Sequence, residues 1–121
     1  MAEKVLVVDD DTSFRKAISR LLKAEGYDVV SVADGVEAMA RCSDAAFDLV
    51  LSDFAMPGMD GFALAHELRT MAPRTPIIIM SGHPDVKRVN AIGAGAVDFI
   101  EKPILLDNLL VKIGLALRPE Y

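Results

Sequence analysis

The sequence predicts an α/β domain in which five parallel strands alternate with five helices, a (βα)5 arrangement in a doubly wound sheet. The 121 residues suit one compact domain that spans the chain, residues 1–121. Short apolar segments alternate with longer amphipathic ones, as in repeated strand–helix units. Most of the short segments are continuously apolar, which is typical of strands covered on both faces of a parallel sheet.

The five strands are predicted from these short apolar segments. Right-handed crossovers between successive strands would place helices on both faces of the sheet. The predicted strands are Val5–Val8, Val29–Val32, Leu49–Ser52, Ile77–Met80 and Val97–Ile100.

Three of the helices are predicted from apolar residues at helical spacing, which would form one buried stripe on each helix. Asp11 or Thr12 is expected to cap the first of these helices. The stripes are Phe14, Ile18, Leu21 and Leu22; Leu64, Ala65, Leu68 and Met71; and Leu106, Leu109, Leu110, Ile113 and Leu117.

The second and fourth helices are predicted from their ends. Asp34 and Glu37 have the spacing of an N-cap and its partner three residues later. The fourth helix is expected from Asp85 to Ile92, ending at Gly93, and its short Ala-rich sequence makes it the weakest of the five.

Composition and charge exclude several classes of function. The net charge of −5 argues against binding nucleic acid by bulk electrostatics. No apolar run approaches the ~20 residues that span a bilayer, and the first residues lack a signal-peptide pattern. The single Cys42 cannot form an internal disulfide, which fits a reducing, cytoplasmic location. The final LRPEY is either a true C-terminus or the start of a linker to an effector domain.

Polar residues follow four of the predicted strands at the point where each strand ends. In a sheet of order 2-1-3-4-5, which we expect here, the first strand lies beside the third. Ligands of such sheets bind outside the carboxyl ends of the strands. The residues expected to meet there are Asp9, Asp10, Asp53, Ser81 and Lys102.

Three neighbouring carboxylates repel one another, so a cluster of Asp9, Asp10 and Asp53 needs a divalent cation or a lysine ammonium. Hard oxygen ligands favour Mg²⁺. A carboxylate beside Mg²⁺ and Lys102 could attack phosphorus, which predicts an aspartyl phosphate on Asp53.

Simpler interpretations apply to single residues of this group. Ser81 could equally cap a loop, and Phe99 alone is typical of a core residue. His83 and His66 are expected to be ordinary loop and helix-surface residues.

Four motifs together resemble the receiver (response-regulator) domain of two-component signalling. VLVVDDD, SDFAMPGMDG, IIIMSG and DFIEKP occur in the family's order and roughly at its spacing, over nearly the whole chain. The resemblance implies a flavodoxin-like, CheY-like fold and phosphotransfer from a sensor histidine kinase to Asp53. It implies Mg²⁺ held by the side chains of Asp10 and Asp53 and the carbonyl of Ala55, with Asp9 assisting through water.

The resemblance also implies how the signal leaves the site. Lys102 would pair with the phosphoryl group, and the Ser81 hydroxyl would move to bond it. Phe99 would turn inward in response, and Pro103 would follow a cis peptide bond. The fourth helix, fifth strand and fifth helix would then repack to control an attached output domain, a partner or a second copy of the chain. The segment SGHPDV resembles members that regulate transcription. The receiver resemblance as a whole implies a regulatory domain and not an enzyme.

Rival interpretations assign a different chemistry or none. VVDDDTS resembles the start of haloacid-dehalogenase-type phosphatases, with Asp9 as nucleophile and Asp11 as acid. That family needs an acidic pair after its lysine, whereas only Asp107 and Glu120 follow Lys102 here. A binding module without phosphorylation would lack acids that this chain has, and flavin binding rests on fold analogy alone.

Overall fold

The computed structural model describes residues 2–118, in which five strands alternate with five helices, as predicted. The order and bounds are β1 (Lys4–Val8), α1 (Thr12–Ala24), β2 (Asp28–Val32), α2 (Gly35–Asp44), β3 (Leu49–Asp53), α3 (Gly61–Met71), β4 (Ile77–Ser81), α4 (Arg88–Ala94), β5 (Asp98–Glu101) and α5 (Leu106–Leu117). The final tripeptide of the LRPEY segment, residues 119–121, lies outside the described residues.

The strands form one parallel sheet in the expected order, β2-β1-β3-β4-β5. The register pairs Val8 with Ser52, and Ser81 with Glu101. The carboxyl ends of β1, β3, β4 and β5 therefore lie at one edge of the sheet, which we call the site edge.

Each strand contributes to two separate cores, which explains why the strand segments are continuously apolar. In β1, Leu6 and Val8 pack into the core beneath α2, α3 and α4, whereas Val5 and Val7 pack into the core beneath α1 and α5. All four side chains are fully buried. A strand with helices on both faces has no solvent-facing side that polar residues could occupy.

The first three helices begin at an aspartate N-cap. The carboxylates of Asp11, Asp34 and Asp60 accept the backbone N–H of the third helical residue at 3.2, 2.8 and 2.8 Å. Asp11 is therefore the cap of α1, and the predicted cap of α2 is confirmed. The Glu37 carboxylate reaches back to the N–H of Ala33 at 3.3 Å, one residue before the cap.

The predicted start of α4 at Asp85 is wrong, because the helix begins at Arg88. Residues 83–86 form a turn instead, in which the N–H of Val86 donates to the carbonyl of His83 at 3.1 Å. The His83 ring also accepts the N–H of Asp85 through Nδ1 at 3.2 Å. Lys87 then adopts an extended backbone with φ −118° and ψ 161°, which separates this turn from the helix.

The predicted end of α4 is also wrong, because Gly93 is helical and the helix continues to Ala94. Gly95 follows with φ 112°, a left-handed conformation that favours glycine. Its N–H donates to Ile92, and the N–H of Ala96 donates to Ala91, both at 3.0 Å. This bonding pattern is a Schellman C-terminus, in which the second glycine is the terminator.

None of the helices within residues 2–118 is both long enough and apolar enough to cross a membrane.

Candidate functional site

Three carboxylates meet at the site edge, as the sequence predicts. Asp9 and Asp10 directly follow β1, and Asp53 is the last residue of β3. One carboxylate oxygen from each lies within 4.8 Å of the other two. Asp9 is fully buried and Asp53 is 7% exposed, whereas Asp10 is open to solvent.

Lys102 enters this cluster from the loop that follows β5. Its ammonium lies 3.3 Å from Asp9 Oδ2 and 3.1 Å from Asp53 Oδ1. The backbone N–H of Lys102 donates to the carbonyl of Ser81 at 2.9 Å, which ties the loop to the end of β4. The Lys102–Pro103 peptide bond is cis, as the resemblance implied.

The charges at this edge are unbalanced, since three carboxylates face one ammonium. Burial raises the pKa of the Asp53 carboxyl above its ordinary value, and the charges of Asp9 and Asp10 raise it further against the opposing effect of Lys102. Burial lowers the pKa of Lys102, but the hydrogen bonds and charges of Asp53 and Asp9 outweigh it, so the net pKa is raised.

The raised pKa of Asp53 differs from the behaviour of a simple ion pair, in which the lysine would lower the pKa of the acid. The main physical reason is the burial of Asp53, to which the like charges of Asp9 and Asp10 add, whereas the cation Lys102 opposes them. The cluster can therefore take up further positive charge.

The residues of the cluster fit a hard divalent cation such as Mg²⁺. The available donors are carboxylate oxygens, which Mg²⁺ prefers, and the exposed Asp10 leaves room for the waters that this ion retains. Asp9 already accepts the N–H of Asp11 at 2.9 Å and the ammonium of Lys102. Asp10 and Asp53 are therefore the freer ligands, and Asp9 suits an indirect role. Ala55, the other predicted ligand, lies exposed in the loop two residues after Asp53.

Ser81 and Phe99 lie on neighbouring strands at the far side of the cluster. Ser81 is buried at the end of β4, and its hydroxyl accepts the N–H of His83 at 3.0 Å. In this arrangement Ser81 caps the loop, one of its two predicted roles. Phe99 is 6% exposed and packs in the core beneath α2, α3 and α4. A cavity of about 170 Å³ lies between the Ser81 loop and Lys102.

Sequence reasoning missed two residues that position the cluster. Arg15 donates from Nη1 to the backbone carbonyl of Asp9 at 2.7 Å, which ties α1 to the end of β1. The side chain of Phe14 places its ring centre 4.2 Å from the Lys102 ammonium. Neither contact has a spacing signal, because a lone Arg or Phe in a helix is typical of surface or core.

Gly61 explains part of the MPGMDG segment. Its N–H donates to the carbonyl of Phe54 at 2.8 Å. A Cβ at this position would lie 2.7 Å from the carbonyl oxygen of Asp53. Only glycine lets α3 start this close to the end of β3, so the segment holds the Asp53 backbone in place.

The sequence of residues 5–114 matches the family described as the response regulator receiver domain. Among curated relatives, it is 42% identical over 110 residues to the C4-dicarboxylate transport transcriptional regulatory protein DctD of Rhizobium meliloti, covering 90% of this chain and 24% of DctD. It is 36% identical over 119 residues to the response regulator MprA of Mycobacterium sp. (strain KMS), covering 98% of this chain and 52% of MprA. The chain thus spans between a quarter and a half of the length of these relatives.

Solved structures show the same fold. The chemotaxis response regulator CheY4 of Vibrio cholerae superposes with a TM-score of 0.87 at 34% identity, covering 96% of this chain and 99% of that one. The matches give no support to the phosphatase alternative with Asp9 as nucleophile. Asp9 is also fully buried, with both carboxylate oxygens engaged by Asp11 and Lys102.

Proposed function

The chain belongs to the response regulator receiver domain family, and we propose that Asp53 is the residue whose phosphorylation operates it as a switch. The observation that carries this assignment is the meeting of three carboxylates within 4.8 Å, with Lys102 3.1 Å from Asp53. Asp53 is the acid of the three that combines burial, a raised pKa and a lysine partner.

In the proposed reaction a carboxylate oxygen of Asp53 attacks the phosphorus of a phosphohistidine on a sensor histidine kinase. The new O–P bond makes an acyl phosphate, while the P–N bond breaks and its electron pair returns to the imidazole. Asp10, Asp53 and the Ala55 carbonyl would hold Mg²⁺, with Asp9 assisting, and the ion supplies positive charge for the transferring phosphoryl group. Because its pKa is raised, Lys102 stays an ammonium and neutralises a phosphoryl oxygen.

Phosphorylation would change the partners of Ser81. The added ~1.5–2 negative charges and strong acceptor oxygens would attract the Ser81 O–H as a hydrogen-bond donor, whereas the Ser81 oxygen now accepts the N–H of His83. Movement of Ser81 would alter the packing of Phe99 on the neighbouring strand and then the face formed by α4, β5 and α5. These two helices and the loops beside β5 carry exposed apolar side chains that a partner could cover: Val89, Ile92, Val97, Leu105, Val111 and Leu115.

The output is proposed from the relatives. DctD is named a transcriptional regulatory protein, and this chain matches a quarter of it. We therefore expect residues 1–121 to act as a receiver domain that controls transcription through an output domain or partner. Dimerisation through the same face would be one means of control. We expect the reaction in the cytoplasm, with the domain catalysing only its own phosphorylation and dephosphorylation.

The test is the intact mass of the protein after incubation with acetyl phosphate, with and without Mg²⁺. We expect the parent to gain one phosphoryl group in a metal-dependent way, because acetyl phosphate supplies the same phosphorus electrophile. The Asp53→Asn variant should gain none. Asp28→Asn, an exposed acid at the start of β2, is the matched control and should behave as the parent.

A phosphoryl group retained by Asp53→Asn would overturn the assignment of the acceptor. Loss of labelling in an Asp9→Asn variant alone, with turnover of a phosphomonoester, would instead favour the phosphatase chemistry.

A further inference from the structure

The Lys102 ammonium interacts with two acids and with one aromatic ring. Asp9 and Asp53 lie at 3.3 and 3.1 Å, and the third side is covered by the ring of Phe14, whose centre is 4.2 Å from Nζ. The Lys102 side chain is 25% exposed, so the ring takes much of the space that water would otherwise occupy.

An aromatic face attracts an ammonium within about 6 Å of its centre, and the attraction grows as water is removed. A lysine side chain is long and flexible, and ordering it costs up to ~2 kcal/mol of rotamer entropy. The negative face of the ring therefore helps to keep the ammonium in one position. An aliphatic side chain would exclude water from this side of the ammonium but would not attract it.

The local sequence holds Phe14 in the position that this contact needs. Its backbone N–H donates to the N-cap carboxylate of Asp11 at 3.2 Å, which fixes the first turn of α1. The next residue, Arg15, ties the same turn to the Asp9 carbonyl. The ring is thus anchored beside the loop that carries Asp9 and Asp10, two of the three acids of the cluster.

We propose that Phe14 is a positioning residue for phosphoryl transfer, whose ring face holds the Lys102 ammonium against Asp53, where it must meet a phosphoryl oxygen. This inference rests on the proposed function. Phe14 is neither an acid of the cluster nor part of the switch formed by Ser81 and Phe99, so the inference gives α1 a role of its own.

The experiment replaces Phe14 with phenylalanines that carry one, three or five ring fluorines, which weaken the attraction stepwise with little change of shape. The rate constant of phosphorylation by acetyl phosphate at saturating Mg²⁺ should fall with each step, by roughly 3- to 10-fold in total. Phe14→Leu should lose about as much as the fully fluorinated ring, and Phe14→Tyr should keep the parent rate.

Two measurements separate positioning from packing. The ε-protons of Lys102 should show an upfield ring-current shift in the parent proton NMR spectrum, which Phe14→Leu removes. The same fluorinated series at Phe47, whose ring centre lies 5.9 Å from the ammonium of the half-buried Lys4, is the matched control and should leave the rate unchanged.

The outcomes distinguish this inference from the proposed function. A parent that is phosphorylated on Asp53 at a rate indifferent to the Phe14 series overturns the inference alone. A loss of rate that follows thermal stability and not fluorine number overturns it too. A parent that takes up no phosphoryl group overturns the proposed function, and this inference with it.

Discussion

The helices of residues 2–71 and those of residues 72–118 begin in different ways. α1, α2 and α3 each start at an aspartate whose carboxylate accepts a backbone N–H. The N-cap residues of α4 and α5 are Lys87 and Leu105, neither of which makes a side-chain cap bond. In α4 only the reverse contact forms, from the N–H of Lys87 to Asn90 Oδ1 at 3.1 Å, because a lysine side chain has no acceptor to offer.

This difference divides the site edge into two sides. All five helices begin near this edge, and an aspartate N-cap contributes about 1 kcal/mol. The side that carries Asp9, Asp10 and Asp53 is therefore tied down by three capped helices. The side that carries Ser81 and Lys102 leads into helices that lack this stabilisation. We call the part with Asp9, Asp10 and Asp53 the rigid side and the part with Ser81 and Lys102 the responding side. Such a difference in local stability suits a two-state switch.

Charge pairs partly replace the missing cap of α4. The carboxylate of Asp98, at the start of β5, accepts from Arg88 Nη1 at 2.5 Å and from Lys112 Nζ at 3.1 Å. These contacts join α4, β5 and α5. Arg88 is largely exposed, and such surface pairs contribute only ~0–1 kcal/mol. The contacts that hold the responding side therefore contribute little free energy, and a small change in charge at the site can rearrange them.

The largest effect should come from removing a cap on the rigid side. We expect Asp60→Ala to lower the free energy of unfolding by about 1 kcal/mol, because the N–H of Ala63 loses its acceptor. Asn90→Ala in α4 is the matched change on the responding side and should cost less than about 0.5 kcal/mol. Urea unfolding of both variants measures the difference. Equal losses would contradict the division into two sides.

The second prediction concerns the negative charge of the Asp53 carboxylate on the rigid side. Asp53→Asn, without divalent cation, should raise the free energy of unfolding by on the order of 1 kcal/mol at pH 7, since it removes a buried carboxylate among like charges. The folded protein holds the Asp53 proton more tightly than the unfolded chain, because the folded pKa is raised. The ionised group therefore costs stability at neutral pH, and this cost disappears as the pH falls towards the ordinary value of 3.8.

The gain from Asp53→Asn should accordingly shrink on acidification, as chemical unfolding across that range would measure. Asp28→Asn, at an exposed position, should show neither the gain nor its pH dependence. A stabilisation that stays constant from pH 7 to pH 4 would mean that ionisation of Asp53 is not its cause.

The smallest effect should come from adding the cap that α4 lacks. Lys87→Ser supplies a hydroxyl acceptor at the N-cap, and we expect about 0.5 kcal/mol of local stabilisation. Hydrogen exchange of the α4 amides should slow by about twofold. Lys87→Ala, which removes the charge without adding an acceptor, is the control. Equal exchange in the two variants would show that the missing cap does not set the stability of α4.

Most of the fold was predictable because its signals are local. A strand buried on both faces must be continuously apolar, so segments such as Val5–Val8 are recognisable as strands from the sequence. The start of α2 is predictable because the side chain of Asp34 caps the helix. In α4, by contrast, the predicted start at Asp85 is wrong, because residues 83–86 form a turn and Lys87 is extended. That backbone path depends on how the chain leaves β4, which no local pattern records.

The sequence by itself determined the five strands, four of the five helices and the acids that follow the strands, because periodicity, capping and strand ends are properties of neighbouring residues. Only the tertiary structure decided that Phe14 covers Lys102 and that Arg15 holds the Asp9 carbonyl. It also decided that residue 61 must be glycine, because the carbonyl oxygen of Asp53 occupies the space that a Cβ would need. Those contacts join residues on different elements, and their energies depend on distances that appear once the helices pack on the sheet.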